Sequence, residues 1–473
     1  MTLTDAVREV LGKAMSRYRD QPHTVELLRR QLVRLDEPLR VAIAGKVKAG
    51  KSTLLNALVG EAVAPTDAGE CTKVVTWYRD GSSPRVTMYP RQGPPRALPV
   101  VRRDGALDLA LGARAEDVDR LVVDWPATSL RTTTLIDTPG VASVNKDVSA
   151  RAERFLDPDD DTPTEADAVV YLMRHLHSAD ADFLESFRDR GVARATPVTT
   201  VAVLSRADEI GGGRADAMFS ARGIATRYRS EPALRGLCQN VVAVAGLLAH
   251  TGRTLRQAEF AALADLAASP REDLEKALLS ADRFTRLHGR HELVGRFGLF
   301  GIRLATSLLR QGTRTPAELA GELVARSGLG DLRKVLTTQF TERRDLLKAR
   351  SALVALERIT RADDRGLARD VERILAGAHE FTELRLLSAL RAGTVVLPKP
   401  LIREAERLLG DDGGTPGVRL GLPAAADAIA TRAAALAALR RWHEHAENPA
   451  LGRRASDACR VLVRTCEGLV TRV

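Results

Sequence analysis

Residues 40–58 read RVAIAGKVKAGKSTLLNAL and join a short apolar strand, a glycine loop and a helical pattern. The loop matches G-x-x-x-x-G-K-S, in which the glycines let backbone N–H groups turn inward toward phosphate oxygens. The helix that follows adds the positive end of its dipole at the same place. Lys51 is expected to reach the β- and γ-phosphates, and the Ser52 hydroxyl is expected to ligate Mg²⁺. The stretch therefore predicts a nucleotide-binding site built from Gly45, Ala49, Gly50, Lys51, Ser52 and Thr53.

From this loop to about residue 250, apolar strand-like runs alternate with helical patterns. The further runs are Val74–Tyr78, Leu121–Trp125, Thr133–Ile136, Ala168–Met173, Val198–Leu204 and Val241–Ala245. Such alternation is typical of a mostly parallel sheet wrapped by helices. We therefore predict an α/β P-loop domain with a mixed sheet over residues 39–250.

Helical patterns occupy both ends of the chain. Two amphipathic stripes cover residues 1–38, and strand signals stop after residue 251, so we predict a long α-helical bundle over residues 251–473. The N-terminal helices are expected to pack into its neck, beside the last helices, Ala424–Val473. Leu329–Arg391 contains no proline and favours one or two long helices. Gly393–Pro423 is rich in glycine and proline, which predicts a loop at the bundle tip, far from the α/β domain.

The composition, 44% hydrophobic and 28% charged, is that of a folded globular protein. No run of apolar residues is long enough to predict a transmembrane helix, and four cysteines without C-x-x-C spacing indicate reduced thiols. The net charge is +10, and residues 271–473 hold 35 Lys and Arg against 26 Asp and Glu. This excess favours lipid headgroups or nucleic acid as partners of the helical part, although a GC-rich genome would give the same arginine-rich composition.

A second motif, Asp137-Thr138-Pro139-Gly140, follows the predicted strand Thr133–Ile136 directly. A carboxylate at a strand end can hold Mg²⁺ through a water, and the glycine can swing with the γ-phosphate. We therefore predict that Asp137 and Gly140 belong to the nucleotide site, with Asp137 also serving the metal.

A third motif, Ser205-Arg206-Ala207-Asp208, follows the predicted strand Val198–Leu204. Asp208 is placed to accept hydrogen bonds from N1 and N2 of guanine, and the apolar stem of Arg206 can lie along the base. Ser205 keeps a hydroxyl where GTPases place Asn or Thr. These residues predict a guanine site, and the alternative is an ordinary charged surface loop.

The order of these motifs, between N-terminal helices and a helical C-terminal half, resembles the dynamin superfamily of large GTPases. It is most similar to the bacterial dynamin-like proteins of the isoniazid-inducible actinobacterial kind. The resemblance implies hydrolysis of GTP, with GTP or GDP and Mg²⁺ as ligands. It also implies that Thr72 is the switch I threonine, which closes over Mg²⁺ and helps to hold the attacking water. The backbone at Ala245 would contact the base.

The same resemblance implies a cytoplasmic protein that binds the inner face of the cell membrane peripherally, favours anionic lipids and remodels the bilayer. It also implies a homodimer through the GTPase domain or a paralogous dynamin-like partner. Two other classes stay open, namely an RNA-associated GTPase of the ribosome-assembly type and a slow nucleotide-binding scaffold. The sequence contains no RNA-recognition motif and only 4% aromatic residues, which disfavours nucleic acid as a partner.

One departure from the family pattern lies inside the phosphate loop. Dynamins carry Gln-Ser where this chain has Val47-Lys48, and that serine helps to bind a monovalent cation. Lys48 is predicted to put its ammonium in place of the cation, and the alternative is a side chain that points to solvent. The residue after Gly140 is Val141 rather than a catalytic glutamine. The predicted catalytic residues are therefore Lys48, Lys51 and Thr72.

Lipid contact is predicted at the bundle tip. Thr394–Arg403 places large apolar residues beside Lys399 and Arg403, which is the pattern of an interfacial anchor. The alternatives are a loop that buries its Val and Leu side chains, and a second apolar stretch at Phe297–Ile302.

Overall fold

The computed structural model of the chain describes residues 2–65, 70–103, 106–140, 165–186, 199–234, 237–359 and 365–472. The side chains of Glu70 and Cys71 also fall outside the described part, as does Val141, the position after the second motif.

A nine-stranded mixed sheet forms the centre of the described structure, with a two-stranded ribbon beside it. The strands are β1 Leu39–Gly45, β2 Val75–Asp80, β3 Arg85–Pro90, β4 Arg96–Leu98, β5 Val101–Arg103, β6 Ala106–Asp108, β7 Val118–Trp125, β8 Thr133–Asp137, β9 Ala168–Met173, β10 Thr200–Ser205 and β11 Val241–Val244. The order of the large sheet is β11-β10-β9-β1-β8-β2-β7-β3-β4.

The parallel half of the sheet explains where the motifs meet. β11, β10, β9, β1 and β8 are all parallel, and β1 lies between β8 and β9 with Val41 opposite Leu135 and Ala168. The three motifs follow β1, β8 and β10, so parallel pairing brings them to one edge. The predicted α/β class is therefore confirmed, whereas the short strands β3–β6 were not predicted.

The described helices that flank the sheet or precede it are α1 Leu3–Arg17, α2 Pro22–Arg34, α3 Lys51–Val59, α4 Ser178–Ser186, α5 Ala217–Arg229 and α6 Gly246–Arg253. Those that follow are α7 Gln257–Ala268, α8 Arg271–Ala277, α9 Ala281–His288, α10 His291–Arg310, α11 Pro316–Arg326, α12 Leu329–Leu336, α13 Arg344–Ile359, α14 Arg365–Gly377, α15 His379–Arg391, α16 Lys399–Leu408, α17 Pro416–Arg419, α18 Ala428–Ala446 and α19 Arg453–Thr471. A π-helical turn, Thr337–Thr341, separates α12 from α13, so the prediction of one or two long helices over Leu329–Arg391 is wrong.

Both faces of the sheet are covered partly by helices that lie beyond residue 250. On one face, Leu263, Phe284 and Leu319 join the sheet side chains in a single hydrophobic cluster. On the other face, Leu332 and Phe340 pack with side chains of α3 and with the sheet side chains that point to that face. The α/β domain and the first helices of the C-terminal part therefore share one continuous core.

The N-terminal helices pack against α13 and α14. Val7, Leu11 and Leu28 are fully buried in a cluster with Leu353 and Val371. The prediction that these helices pack beside the last helices is therefore wrong, because α18 and α19 pack on each other and on α15 and α16.

A buried lysine closes the junction between α2 and the sheet. The Lys348 ammonium donates to the carbonyl oxygen of Arg34 at 2.6 Å and also to that of Glu37. Burial lowers the pKa of Lys348 to about 8. The Arg34 guanidinium in turn pairs with Asp167, directly before β9, at 2.7 Å. Lys348 thus caps the last turn of α2 and ties α13 to the segment that leads into β1.

The segment Gly393–Pro423 is not a distal tip. It contains α16, and its turn over residues 409–414 lies against the π-helical turn, where the Gln339 amide donates to the Asp411 carbonyl at 2.7 Å. Asp411 also shares a cleft with Arg229 of α5, in the α/β domain. The predicted position far from that domain is wrong, because side chains from both parts meet across this cleft.

The large apolar side chains of the two predicted lipid anchors are mostly buried or packed. In the first stretch Leu397 is 2% exposed, Val395 packs on the cluster formed by α15, α16, α18 and α19, and Val396 is the exposed large apolar side chain, at 72%. In the alternative stretch, Phe297 and Ile302 are fully buried. Neither stretch therefore exposes a continuous apolar face, which an interfacial anchor needs. Among the helices that the structure describes, none has the length and apolarity to cross a bilayer.

Candidate functional site

The phosphate loop leaves β1 through two glycines with positive φ, a conformation that favours glycine. Gly45 has φ 145° and packs so closely on β9 that a Cβ would lie 2.4 Å from the Leu172 carbonyl oxygen. Gly50 has φ 91° and is the residue before the first turn of α3. Lys48 also adopts a left-handed conformation, with φ 61°, and its side chain is exposed. The loop therefore leads directly into the first turn of α3, where the backbone N–H groups of a helix are available to an anion.

Lys51 is folded onto its own loop. Its ammonium donates to the carbonyl oxygens of Gly45 at 3.2 Å and Lys46 at 3.3 Å. Burial lowers the pKa of Lys51, and nearby Asp137 opposes that change. A cation held only by carbonyl oxygens beside a helix N-terminus can transfer readily to phosphate oxygens.

Ser52 and Asp137, two of the residues predicted to serve the metal, lie in contact. The Ser52 hydroxyl donates to Asp137 Oδ2 at 2.9 Å. Asp137 Oδ1 is buried and has no hydrogen-bond partner among the described residues. Burial raises the pKa of Asp137, against the effects of Lys51 and Ser52. A buried carboxylate oxygen without a donor, next to a hydroxyl, fits a Mg²⁺ site.

The residues that follow Asp137 close on the phosphate loop. Thr138 donates through both its N–H and its hydroxyl to the Ile43 carbonyl, at 3.2 and 3.0 Å. A Cβ on Gly140 would lie 2.6 Å from Val47 Cγ2, so only glycine fits against that side chain. Position 47, where the family carries glutamine, is thus a packing contact for the second motif.

Thr72 lies in a short 3-10 helix, Glu70–Lys73, that leads into β2. β2 runs antiparallel to β8, with Thr76 opposite Asp137. The sheet therefore brings the Thr72 segment to the strand that carries the predicted metal carboxylate.

A lysine that the sequence analysis did not select also belongs to this region. Lys46 forms an ion pair of 3.0 Å with Asp180, whose side chain is 1% exposed. Asp180 also accepts from the Tyr171 hydroxyl at 2.8 Å and from the His177 N–H at 3.0 Å. The loop is thereby fixed to the start of α4. Lys46 and Asp180 are far apart in sequence, so little in the sequence indicates this contact. The only indication is that Asp180 is an acidic residue within an apolar helical pattern.

The third motif lines a cavity of about 130 Å³ beside the phosphate loop. Its lining comprises Ala49, Gly50, Thr53, Leu54, Leu172, Val203, Ser205, Arg206, Asp208, Glu209, Val244, Gly246 and Leu247. The Ser205 hydroxyl donates to the Met173 carbonyl at 3.1 Å, so it anchors the loop to β9. Arg206 adopts φ 51° and pairs with Glu209 at 2.6 Å.

Asp208 is the buried acceptor of this cavity. Asp208 is 6% exposed, and burial raises the pKa of its carboxyl group to about 6. The charge of Glu209 raises this pKa further, whereas the backbone N–H of Asp208 and the charge of Arg206 lower it. The apolar walls and one carboxylate suit a flat base that donates two hydrogen bonds. Ala245 is not part of the lining, because its N–H donates to the Ser327 carbonyl at 2.9 Å. Its neighbours Val244 and Gly246 line the cavity instead, which corrects the prediction for Ala245.

Comparison with known proteins agrees with this arrangement. Residues 41–204 match the model described as "Dynamin family". The isoniazid-induced protein IniC of Mycobacterium tuberculosis is 43% identical over 489 aligned positions, which cover 99% of each chain. A bacterial dynamin-like protein of Nostoc punctiforme is 33% identical over 147 positions, covering 28% of this chain and 20% of that protein.

A solved structure, described as an oligomerised bacterial dynamin pair for long-range sensing and tethering of membranes, aligns over all of this chain and 79% of its own, with 14% identity and a TM-score of 0.34. The full-length identity to IniC shows the family, and members of that family bind and hydrolyse GTP. The chain is therefore a GTPase that belongs to the dynamin family.

Proposed function

We propose that this GTPase binds anionic membrane surfaces peripherally, at the inner face of the cell membrane, and uses GTP hydrolysis to move its helical part and remodel the bilayer. In this proposal Asp208 accepts from guanine and Lys51 holds the phosphates. Ser52, Thr72 and Asp137 would hold Mg²⁺, the last through water. Bound Mg²⁺ would neutralise charge on the β- and γ-phosphates. The buried Asp137 oxygen without a donor supports that role.

A contact between α3 and the helical part supports coupling. The C-terminal carbonyl oxygens of α3 accept hydrogen bonds from two guanidinium groups, Arg253 to Ala57 at 3.3 Å and Arg333 to Leu58 at 3.1 Å. Arg253 approaches so closely that a Cβ on Gly60 would lie 2.2 Å away. In this proposal the N-terminus of α3 faces the phosphates, and Arg333 belongs to α12. A shift of α3 on hydrolysis would therefore pull on the helical part.

The observation that carries the membrane proposal is a stripe on the outer face of α18. One face of α18 carries four residues at helical spacing, which together we call the α18 stripe: Ile429, Arg432, Leu436 and Arg440. Ile429 is 85% exposed and Leu436 41%, and both arginines are exposed. Within the described part of the chain, neither arginine has a carboxylate partner. Aliphatic side chains that alternate with arginines suit the boundary of an anionic bilayer.

Co-sedimentation with vesicles tests the proposal. Vesicles that contain phosphatidylglycerol should bind the protein more strongly than vesicles of phosphatidylcholine alone. Each basic residue near an anionic surface contributes about 1 kcal/mol, so the double variant Arg432→Glu/Arg440→Glu should lower binding by at least about tenfold. Ile429→Ser/Leu436→Ser should weaken binding to the same vesicles while basal GTP turnover stays unchanged.

Leu279→Ser provides the control, because Leu279 is 67% exposed but lies outside the α18 stripe. Normal binding by both double variants would place the lipid contact elsewhere. Failure of the wild type to bind anionic vesicles would overturn the membrane proposal. Retention of RNA by protein that ignores vesicles would favour the RNA-associated class.

The proposal includes self-association through the GTPase domain, or pairing with a paralogous partner. Phe219 lies on α5, the helix that follows the third motif, and is 82% exposed. Among the exposed large apolar side chains of the described residues, Phe219 is the one aromatic ring, so it is the residue with which we test such a contact. Light scattering should detect a nucleotide-dependent dimer that Phe219→Ser weakens, and a monomer under every nucleotide condition would argue against self-association.

A further inference from the structure

Helix α10 changes direction at Gly298. This residue has φ 62° and ψ 175°, inside a segment that is otherwise helical from His291 to Arg310. That region of backbone space is essentially restricted to glycine. The surrounding residues fix the kink in place, because Phe297 is fully buried and Phe300 is 4% exposed.

The kink lies directly behind the base loop, residues 207–213. A Cβ on Gly298 would lie 3.7 Å from Asp208 Oδ2 and 3.9 Å from Leu247 Cδ2. Both are ordinary contact distances, so a methyl group would fit in the space. Glycine is therefore required at position 298 because of the backbone conformation, and not because a side chain would clash with its neighbours.

The next turn of α10 supports the other end of the same loop. A Cβ on Gly213 would lie 3.3 Å from the Phe300 N atom and 3.5 Å from Leu299 Cβ. The base loop is thus held between the cavity on one side and α10 on the other. This second contact depends on the direction that α10 takes after Gly298.

We propose that Gly298 is a positioning residue for guanine recognition, since its kink seats α10 against the base loop and so holds Asp208 at the base. The inference rests on the proposed role of Asp208 as the guanine acceptor. It goes further by placing a determinant of base specificity in the helical part, outside the three motifs. A residue with a helical φ at position 298 would straighten α10 and withdraw Leu299 from the loop.

The test compares the affinities for GDP and IDP, measured by titration calorimetry on the full chain. IDP lacks the 2-amino group that one Asp208 oxygen would accept, so the wild type should prefer GDP by roughly tenfold or more. In Gly298→Ala this preference should fall severalfold, toward equal affinity. Gly295→Ala is the matched control, because Gly295 lies in the same helix with nothing within 4 Å of its Cβ position. Its preference for GDP should be that of the wild type.

The ratio of the two affinities is independent of the fraction of folded protein, so a poorly folded variant remains informative. A second variant, Leu299→Gly, removes the Cβ atom that lies beside Gly213 while residue 298 keeps its φ, and it should also lower the ratio. Asp208→Asn should abolish the preference, and if it does not, the assignment of Asp208 fails. If Asp208→Asn abolishes the preference but Gly298→Ala keeps the wild-type ratio, the role of Gly298 is overturned.

Discussion

Replacement of Asp208 by asparagine should make the nucleotide-free protein more stable. The carboxylate is 6% exposed, and burial raises its pKa from 3.8 to about 6. The ionised form is therefore less favourable in the folded protein than in the unfolded chain. The pKa difference corresponds to a cost of about 3 kcal/mol above pH 6. Asparagine has the same shape and carries no charge, so it should recover up to about 3 kcal/mol at pH 7.5.

The effect should depend on pH in a defined direction. The folded state binds the Asp208 proton more tightly than the unfolded state, so the cost of this group falls as the pH falls from about 6 to 3.8. At pH 5 the advantage of Asp208→Asn should be about half of its value at pH 7.5. The nucleotide-free wild type should therefore approach the variant in stability on acidification.

Urea unfolding followed by tryptophan fluorescence measures this difference, because Trp77 and Trp125 lie in the sheet. Glu209→Gln is the matched control. Glu209 is the next residue, but its side chain is 45% exposed and pairs with Arg174 and Arg206, so its removal should change stability by less than about 1 kcal/mol. Equal or lower stability of Asp208→Asn at pH 7.5, or a difference that does not change with pH, would refute the reasoning.

The three lysines of the phosphate loop should behave differently from one another. Lys51→Ala should lower GTP turnover by about 100-fold or more in a phosphate-release assay, because the phosphate charge loses its partner, and wild-type turnover would contradict that role. If Lys48 takes the place of a monovalent cation, turnover should be the same in K⁺ and in a bulky organic cation at equal ionic strength, whereas a steep K⁺ dependence would exclude it. Lys46→Ala should leave buried Asp180 without its cation and lower the free energy of unfolding by on the order of 2 kcal/mol, as measured by urea titration. Asp180→Asn added to the Lys46→Ala variant should recover part of the lost free energy of unfolding.

The sequence was most informative where chemistry constrains neighbouring residues. The glycine loop, its strand and the helix after it occupy residues 39–59 in one run, so local pattern was sufficient to predict them. The carboxylates at positions 137 and 208 were predictable because parallel strands end at one edge.

Contacts between distant segments left no comparable signal. Glycine and proline in Gly393–Pro423 indicate a break in the helices, but they do not say which way the chain turns. The direction depends on buried donors such as Gln339, which lies 72 residues from its partner Asp411. In the same way, the apolar stripe of α1 predicts burial but not the helix that covers it. Lys348 lies within the apolar pattern of α13, but nothing in that pattern identifies its acceptors at the end of α2.

The shared core has a consequence for the order of events during synthesis. Leu329, Leu332 and Leu347 fill the same hydrophobic cluster as the phosphate-loop helix, and the C-terminal carbonyl groups of that helix are capped by Arg333. When only the strands and the three motifs have left the ribosome, the residues that bury the sheet and α3 have therefore not yet been synthesised. At ~5–20 residues per second, the nascent chain waits several seconds for those residues. Guanine nucleotide should accordingly bind a released fragment that ends after α13 and not one that ends at residue 250.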